Sequence, residues 1–323
     1  MKYKSWLSGW FAYTLGFVGL AFASVVILER YAGMPLRFTK SISYDIKIKF
    51  AKEQLADKQY DTLIVGSSMA LNNVDADVLE ASDAVNRVLN LSSWGMATSE
   101  CLQLLQMLDL REVKYVVHAA QYFDYVGELD KVLDERELAR YFKGYWTYKT
   151  YFQNISRLPQ NLWDYFDFGN EYGDSRTQAY LGFDNSGGVN FERDGFLINK
   201  RKWEEIPPVP ALPIGDDYFR HLLAMQKFLA EQGIQLVVVT PPFRDNLLAQ
   251  GEEFREFFFA HKDYLERLSR TRGFVYVDAH DRLDLDDQFF VDASHLDAKG
   301  ARRMSELVVD AVEYSEVTTI MDL

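Results

Sequence analysis

Short apolar runs alternate with longer amphipathic segments along most of the chain. The runs have the length and composition of buried strands, and they cover 62–65, 87–91, 115–117, 235–239 and 274–277. The segments with helical spacing of apolar residues are 97–108, 216–231, 254–272 and a final one around 301–311. Strands that alternate with helices in this way predict a parallel, three-layer α/β sheet.

The first apolar segment has a different character, because residues 6–28 contain no charged side chain. As a helix, this segment would extend about 34 Å, which exceeds the roughly 30 Å core of a bilayer. Trp6, Trp10 and Tyr13 lie near one end, as interfacial aromatic residues often do. We therefore predict an uncleaved membrane anchor, with Ala21-Phe22-Ala23 as an alternative signal-peptide cleavage site.

The pattern divides the chain into an anchor (1–30), a connector (31–59) and a globular domain (60–315). The alternation of strands and helices is interrupted over about 122–215, a region dense in Tyr, Trp and Phe that ends in a proline-rich stretch. We predict that this region is an insertion packed beside the sheet. Its aromatic residues have two open explanations: the ordinary core of a subdomain, or a surface that stacks on sugars or contacts a membrane.

The composition fits a folded protein and argues against general nucleic-acid binding. Of the 323 residues, 48% are hydrophobic, and the formal net charge is −13 with no basic stripe to follow a phosphate backbone. The one cysteine, Cys101, lies in an apolar stretch and is predicted to be a core residue. We therefore expect no internal disulfide and no nucleic-acid partner.

Two short motifs carry candidate chemistry. Gly66-Ser67-Ser68 follows the first predicted strand, and Asp292 precedes His295 by three residues near the end of the chain. A serine becomes a nucleophile when an imidazole takes its proton, and a carboxylate can orient that imidazole. Each motif also has a plain structural explanation, because serine and aspartate commonly cap helices. Together the motifs predict an acyl-transfer site at the carboxyl edge of the sheet.

Other candidate sites are weaker. The sequence Gly66-Ser67-Ser68-Met69-Ala70 approximates the Gly-x-Ser-x-Gly elbow of α/β-hydrolases, but that fold places several strands before its serine. The acidic residues within 281–287 lack the ligand spacing and central glycine of an EF-hand loop. The other histidines show no metal-ligand spacing. We predict no metal and no cofactor.

The motifs and their order resemble the conserved blocks of SGNH/GDSL-type esterases. The blocks in this chain are Gly66-Ser67-Ser68, Gly95 within 91–95, and Asp292-Ala293-Ser294-His295-Leu296. The resemblance implies a flavodoxin-like three-layer α/β fold, with Ser68 as nucleophile, His295 as base and Asp292 as the partner of the base. It also implies that the backbone N–H groups of Gly95 and Ser68 stabilise an oxyanion.

Two departures from the family pattern matter. Ser67 stands where the family has an aspartate, and the Gly-x-Asn-Asp block is replaced by His118-Ala119-Ala120-Gln121. The asparagine donor of the family is therefore missing, and Gln121 is the candidate to replace it. With the N-terminal anchor, these departures resemble a narrower group of membrane-anchored SGNH-like proteins, which includes alginate O-acetylation proteins and the teichoic-acid D-alanylation protein.

That narrower resemblance implies a single-pass protein of the bacterial inner membrane, with its globular domain in the periplasm or extracytoplasmic space. The charges that flank the anchor do not favour this orientation, so it depends on the resemblance. The expected function is an O-acyltransferase, with acetyl as the expected group, that acts on a cell-surface polysaccharide together with a multi-spanning membrane acyltransferase. Two alternatives stay open: an esterase with water as acceptor, and a non-catalytic scaffold of a membrane acyltransferase complex.

Overall fold

The computed structural model describes residues 2–127, 135–172, 183–191 and 203–321, so part of the predicted insertion lies outside the described residues. The strands are β1 Thr62–Gly66, β2 Val88–Asn90, β3 Tyr115–Ala119, β4 Gln235–Thr240 and β5 Val275–Asp278. Neighbouring strands are parallel, in the order β2-β1-β3-β4-β5. This is the order of flavodoxin-like doubly wound sheets, and it confirms the predicted three-layer α/β fold.

Helices connect the strands and cover both faces of the sheet. Within the described residues they are α1 Lys2–Tyr31, α2 Ile42–Asp57, α3 Ser68–Asn73, α4 Ala76–Glu80, α5 Thr98–Leu105, α6 Glu135–Phe142, α7 Tyr148–Ser156, α8 Leu158–Tyr172, α9 Arg220–Ala230, α10 Asp245–Leu248, α11 Glu252–Arg272, α12 Ala279–Arg282 and α13 Ala298–Met321. Short 3₁₀ turns cover Tyr122–Tyr125 and Asp287–Phe289.

The sheet separates two hydrophobic cores, because successive side chains of a strand point to opposite faces. In β1, Leu63 and Val65 belong to the first core, which also contains residues of α2, α5, α9 and α11. Ile64 belongs to the second core, which contains residues of α4 and α13. Every residue of β1 is buried. Burial on both faces explains why the strands are apolar runs and not alternating patterns.

The segment 31–59, predicted as a connector, contributes a helix to the first core. Tyr44 and Ile48 of α2 are buried there. The buried Nζ of Lys47 donates to the carbonyl oxygens of Asn90 and Gly187, and burial lowers the pKa of Lys47 to about 7. The helix α2 therefore ties β2 to the segment 183–191 of the insertion.

The described part of the insertion before residue 173 forms α6, α7 and α8, which pack near α1 and α2. The ring of Tyr141 lies 4.8 Å from that of Phe38, and its hydroxyl donates to Glu29 of α1. The ring of Tyr151 lies 5.3 Å from that of Phe22 in α1. Tyr141 and Tyr151 are buried. Some aromatic residues of the insertion therefore form an ordinary subdomain core, which is one of the two explanations given above.

Among the described residues, α1 is the one helix long and apolar enough to cross a membrane, by length and composition. Its segment Gly9–Tyr31 has a mean hydropathy of 2.2 and is only 6% buried. The low burial separates it from the core helix of a soluble domain, which can have the same length and composition. A helix of suitable length and composition thus exists where the sequence predicts the anchor.

Candidate active site

The first motif lies at the turn between β1 and α3. β1 ends at Gly66, whose φ is +153°, and a Cβ at this position would lie 2.5 Å from the carbonyl oxygen of Ala119. Only glycine fits there. Ser67 is the N-cap of α3, and Ser68 is the first residue of that helix. The turn therefore brings both serines to the carboxyl edge of the sheet, where open α/β folds bind ligands.

The two serines have different surroundings. Ser67 is 1% exposed, and its Oγ donates to Asp124 Oδ2 (2.9 Å) and accepts from the Met69 backbone N–H (3.2 Å). The hydroxyl of Ser67 is therefore committed to capping α3 and holding the turn. Ser68 is partly exposed. Of the two hydroxyls, that of Ser68 is the one that can be presented to a substrate.

The second motif forms a carboxylate–imidazole pair. Asp292 Oδ2 lies 2.7 Å from His295 Nδ1, and Asp292 Oδ1 accepts from the backbone N–H groups of Ser294 (3.0 Å) and His295 (2.8 Å). Burial acts to raise the pKa of Asp292, but the charge of His295 and these hydrogen bonds outweigh it and hold the pKa below its ordinary value. An ionised Asp292 assigns the proton of a neutral imidazole to Nδ1 and leaves Nε2 as an acceptor.

The other ring nitrogen of His295 is open. Nε2 is buried and has no hydrogen-bond partner in the part of the chain that the structure describes. Ser68 and His295 are therefore not hydrogen-bonded to each other. Hydrogen bonds of catalytic bases are often long before a substrate binds and tighten in the complex. The open nitrogen is the group that could receive the proton of Ser68.

One side chain joins the two motifs. Asn73, the last residue of α3, donates through Nδ2 to the carbonyl oxygen of Ser294 (3.1 Å) and accepts at Oδ1 from the backbone N–H of Leu296 (2.9 Å). These two residues flank His295. Because Ser68 begins the same helix, Asn73 ties the backbone on both sides of His295 to the helix that starts at Ser68. No motif in the sequence singles out Asn73; the available signal is a pair of adjacent asparagines, which the structure buries in a short helix.

The loop after β2 approaches the serine turn. The backbone N–H of Ser93 donates to the carbonyl oxygen of Gly66 (3.2 Å), and Trp94 Nε1 donates to Asn72 Oδ1 (3.3 Å) in α3. Gly95 follows in a left-handed conformation, with φ at 64°, and is exposed. These contacts bring Gly95 to the same edge of the sheet as α3. Its role as an N–H donor stays a prediction.

Gln121 lies in a packed network beside the serine turn. It is fully buried, and its side-chain Nε2 donates to the carbonyl oxygen of Pro241 (2.6 Å). Its backbone N–H donates to Asp124 Oδ2, the same oxygen that accepts from Ser67. One of the two side-chain N–H donors of Gln121 is thus used in packing, and the oxyanion role of Gln121 stays a prediction. Asp124, which no sequence motif indicates, links the serine turn to the segment after β3.

The described segment 183–191 of the insertion forms one side of the site. Asn72 Nδ2 of α3 donates to the carbonyl oxygen of Val189 (2.8 Å). Phe191 lies edge-on to the imidazole of His295, with 6.3 Å between ring centroids and 87° between planes. No local sequence pattern indicates this contact. The insertion therefore contributes to the site as well as to the surface near α1.

The other buried histidine near the sheet edge has a structural role. His118 lies between the carbonyl oxygen of Val65 (3.2 Å) and the hydroxyl of Thr98 (3.1 Å), and burial lowers the pKa of His118 to about 4.

Among the residues that the structure describes, no group of three or more His, Cys, Asp or Glu side chains is placed to hold a metal ion.

A cavity of about 1020 Å³ lies at the opposite edge of the sheet. It is lined by residues that precede β1, β2 and β3, among them Tyr60, Arg87 and Val113. Neither of the two motifs contributes to its lining. The position of the candidate site therefore follows from the arrangement of its chemical groups and not from the size of a cavity.

Comparisons with known proteins give matches at the level of structure. No family model and no curated protein matches the sequence. Similar solved structures include a catalytic mutant of an acetylxylan esterase from Geobacillus stearothermophilus, with 8% identity and a TM-score of 0.41, covering 79% of this chain and 94% of that one. A protein assigned to the lipolytic G-D-S-L family from Desulfitobacterium hafniense has 10% identity and a TM-score of 0.40, covering 78% and 99%. A protein assigned as an acylhydrolase from Bacteroides fragilis has 12% identity and a TM-score of 0.42, covering 80% and 89%. Because these identities and TM-scores are low, we base function on the geometry of the site.

Proposed function

We propose that this protein is an SGNH-like serine enzyme that transfers or hydrolyses acyl groups through an acyl-Ser68 intermediate. One observation carries the proposal: Asn73 joins the helix that begins with Ser68 to the loop that holds the Asp292–His295 pair. A partly exposed serine, an imidazole with an open nitrogen and an ionised carboxylate then lie at one edge of the sheet. These groups are the components of nucleophilic acyl transfer.

In the first half-reaction, His295 Nε2 accepts the Ser68 proton while Ser68 Oγ attacks the acyl carbonyl carbon. The backbone N–H groups of Gly95 and Ser68 donate hydrogen bonds to the carbonyl oxygen and stabilise the negative charge that develops on it. His295 then gives the proton to the departing alcohol oxygen as its bond to carbon breaks, which leaves acyl-Ser68. In the second half-reaction, His295 takes a proton from an acceptor hydroxyl, whose oxygen attacks acyl-Ser68. Ser68 departs and regains a proton from His295.

Within this chemistry, the more specific proposal is a membrane-anchored O-acyltransferase that acetylates a cell-surface polysaccharide. The apolar and exposed helix α1 supports the anchor. The inner-membrane location, the external placement of the domain and the multi-spanning acyltransferase partner are carried over from the narrower family resemblance. A carbohydrate esterase, with water as acceptor, is supported equally by the site.

The acceptor distinguishes a transferase from an esterase. Full-length protein in detergent is incubated with p-nitrophenyl acetate and an oligosaccharide, and acetylated sugar and free acetate are measured by mass spectrometry. Acetylated sugar that increases with sugar concentration and requires Ser68 supports the transferase. Acetate as the only product identifies an esterase. Equal product from wild type and Ser68→Ala rejects serine catalysis.

A non-catalytic scaffold is the second candidate function. The replaced Gly-x-Asn-Asp block favours it, and so does the use of the Gln121 amide in packing. Complementation of a deletion strain separates the two functions. Full restoration of polymer modification by Ser68→Ala supports the scaffold, whereas loss of modification with normal protein abundance supports the enzyme.

Asn73→Ala is expected to lower both stability and activity. It leaves a carbonyl and an N–H of the His295 loop without partners, which costs about 2–4 kcal/mol in the free energy of unfolding. A displacement of the imidazole by about 1 Å lowers the rate by about 10²-fold. Denaturant unfolding and ester hydrolysis per folded molecule measure the two effects.

Asn154→Ala is the matched control for Asn73→Ala. Asn154 is also buried and hydrogen-bonded, but its partners are Arg37, Thr150 and Asn161, away from the candidate site. We expect Asn154→Ala to be less stable than the wild type but to hydrolyse the ester at the wild-type rate. If Asn73→Ala behaves in the same way, Asn73 does not position the imidazole.

Gln121→Leu is expected to leave the turnover rate nearly unchanged, because the amide nitrogen of Gln121 is used by Pro241. The loss of an oxyanion donor would instead lower the rate by about 10²–10³-fold. The free energy of unfolding should fall by about 1–3 kcal/mol, since the carbonyl of Pro241 loses its partner. A rate loss of the larger size in a folded variant would restore Gln121 to the oxyanion site.

A further inference from the structure

Among the side chains that the structure describes between residues 135 and 167, six aromatic ones are exposed to solvent. They are Tyr145 (61%), Trp146 (43%), Tyr148 (58%), Phe152 (54%), Trp163 (69%) and Phe166 (62%). We call these six side chains the aromatic surface. Large exposed apolar clusters on folded domains mark contact sites for membranes or other molecules, whereas single exposed rings do not.

The aromatic surface is continuous with α1. The ring of Phe22 in α1 lies 6.3 Å from the ring of Trp146 and 6.3 Å from that of Phe152. On α8, the hydroxyl of Tyr165 donates to the carbonyl oxygen of Ala32, just beyond the end of α1 (3.2 Å). The exposed rings of α7 and α8 are therefore attached to the C-terminal end of the helix that is proposed to cross the membrane.

The part of α1 that stands clear of the domain is too short to cross a bilayer. From Ala21 onward the domain covers one face of α1, and Val25 is fully buried. The stretch from Trp6 to Leu20 is about 22 Å long as a helix, against roughly 30 Å for the hydrocarbon core. A crossing by α1 therefore requires the turns after Leu20 to enter the membrane as well, together with the helices packed on them.

We infer that the aromatic surface lies in the phospholipid headgroup region of the bilayer that α1 crosses, an inference that rests on the membrane anchoring proposed above. Tryptophan and tyrosine favour this region because each ring combines an apolar body with a polar group. Lys143, Lys149 and Arg157 are exposed in the same segment, and their long side chains can reach lipid phosphates. The surface provides a second contact that fixes the orientation of the domain, because a single helix leaves the domain free to rotate.

Fluorescent labels at single cysteines test this inference in the full chain. The native Cys101 is buried, so it gives a low background. Trp163→Cys and Phe166→Cys report on the aromatic surface, Phe17→Cys on α1, and Tyr314→Cys on α13 at the other face of the sheet. Each variant is labelled with bimane and reconstituted in phosphatidylcholine–phosphatidylglycerol nanodiscs, with nitroxide lipids labelled at the headgroup or in mid-chain.

Headgroup nitroxides should lower the emission at positions 163 and 166 by roughly twofold or more relative to position 314, since interfacial groups lie within about 10 Å of the headgroups. Mid-chain nitroxides should quench the label at position 17. If the label at position 17 is quenched but the labels at positions 163 and 166 are quenched no more than the label at 314, the inference is overturned. The membrane anchor is then still supported. If the label at position 17 is not quenched, neither the membrane anchor nor the inference holds. If the labels at positions 163 and 166 become shielded from water as the protein concentration rises, whether or not lipid is present, a second copy of the chain covers the aromatic surface. This result also overturns the inference.

Discussion

Ser68→Ala is expected to lower the rate of acyl-ester turnover by at least about 10⁴-fold. The substitution removes the oxygen that would form the covalent intermediate. The free energy of unfolding should change little, because Ser68 is partly exposed and Ser67 supplies the cap of α3. Steady-state kinetics with p-nitrophenyl acetate and thermal unfolding of the same sample measure both quantities.

Ser67→Ala is the matched control for the nucleophile. Its hydroxyl is bound to Asp124 and to the Met69 N–H, so the substitution should cost about 1 kcal/mol of stability and much less activity than Ser68→Ala. If Ser67→Ala abolishes turnover and Ser68→Ala does not, the assignment of the nucleophile is reversed. Equal turnover by both variants and the wild type would exclude a catalytic serine in this turn.

Asp292→Asn is expected to lower the turnover rate constant by about 10³–10⁴-fold, with the imidazole still in place. The amide group can present an N–H to His295 Nδ1, which shifts the ring proton to Nε2. That nitrogen then cannot accept the proton of Ser68. Kinetics of the variant measure the loss, and the NMR signals of the imidazole nitrogens report the change of tautomer.

Asp297→Asn is the matched control for Asp292→Asn. Asp297 is buried two residues beyond His295 and caps α13 through the Gly300 N–H (2.8 Å), without a bond to either ring nitrogen of His295. We expect this variant to keep its turnover rate and to lose at most about 0.5 kcal/mol of stability, because the amide oxygen of Asn can still accept from the Gly300 N–H. Equal rate losses in the two variants would show that disturbance of the loop, and not loss of the Asp292 carboxylate, lowers activity.

Asp292 also gives the protein a defined pH dependence of stability. Its pKa is held below the ordinary value in the fold, so the ionised form stabilises the folded state at pH values above the unfolded pKa of about 3.9. This stabilisation is lost as the pH falls through the lower, folded pKa. Asp292→Asn should lack this part of the acid destabilisation when its unfolding curve is compared with that of the wild type. Identical pH profiles would exclude a lowered pKa for Asp292.

The secondary structure around the sheet could be predicted because it depends on local patterns. The run 235–239 is apolar on both faces, and the structure has β4 at Gln235–Thr240. The helix predicted over 254–272 is α11, Glu252–Arg272, and it ends where Gly273 adopts a left-handed conformation. Each of these features is encoded within a few residues, so the sequence alone is sufficient.

The burial of α2 could not be predicted from its pattern. Its residues include the buried charges of Asp45 and Lys47, so the helix has no continuous apolar stripe. Asp45 is paired with Arg37 at 2.7 Å, and Lys47 is bound to two carbonyl oxygens. These partners lie on other segments, and only the folded chain reveals that the charges are satisfied. The polar pattern of this segment therefore predicts a connector and gives no sign of burial.

The chemical groups of the candidate site could be proposed from the sequence, but the contacts that position them could not. Asn73 bonds to residues more than 220 positions away, and Ser67 bonds to Asp124, 57 positions away. Phe191 reaches His295 from the insertion. Such contacts depend on how distant loops meet at the sheet edge. No periodicity or short motif in a single sequence encodes contacts between distant loops.

Covalent labelling of the full-length protein with a fluorophosphonate, followed by peptide mass spectrometry, tests the central claim most directly. The probe forms a stable adduct with a serine that an adjacent imidazole activates. The proposed mechanism predicts one adduct on Ser68 in the wild type, none in Ser68→Ala, and strongly reduced labelling in His295→Ala. An adduct on Ser67, equal labelling of Ser68 in His295→Ala, or full ester turnover by a protein whose Ser68 is completely modified would contradict it.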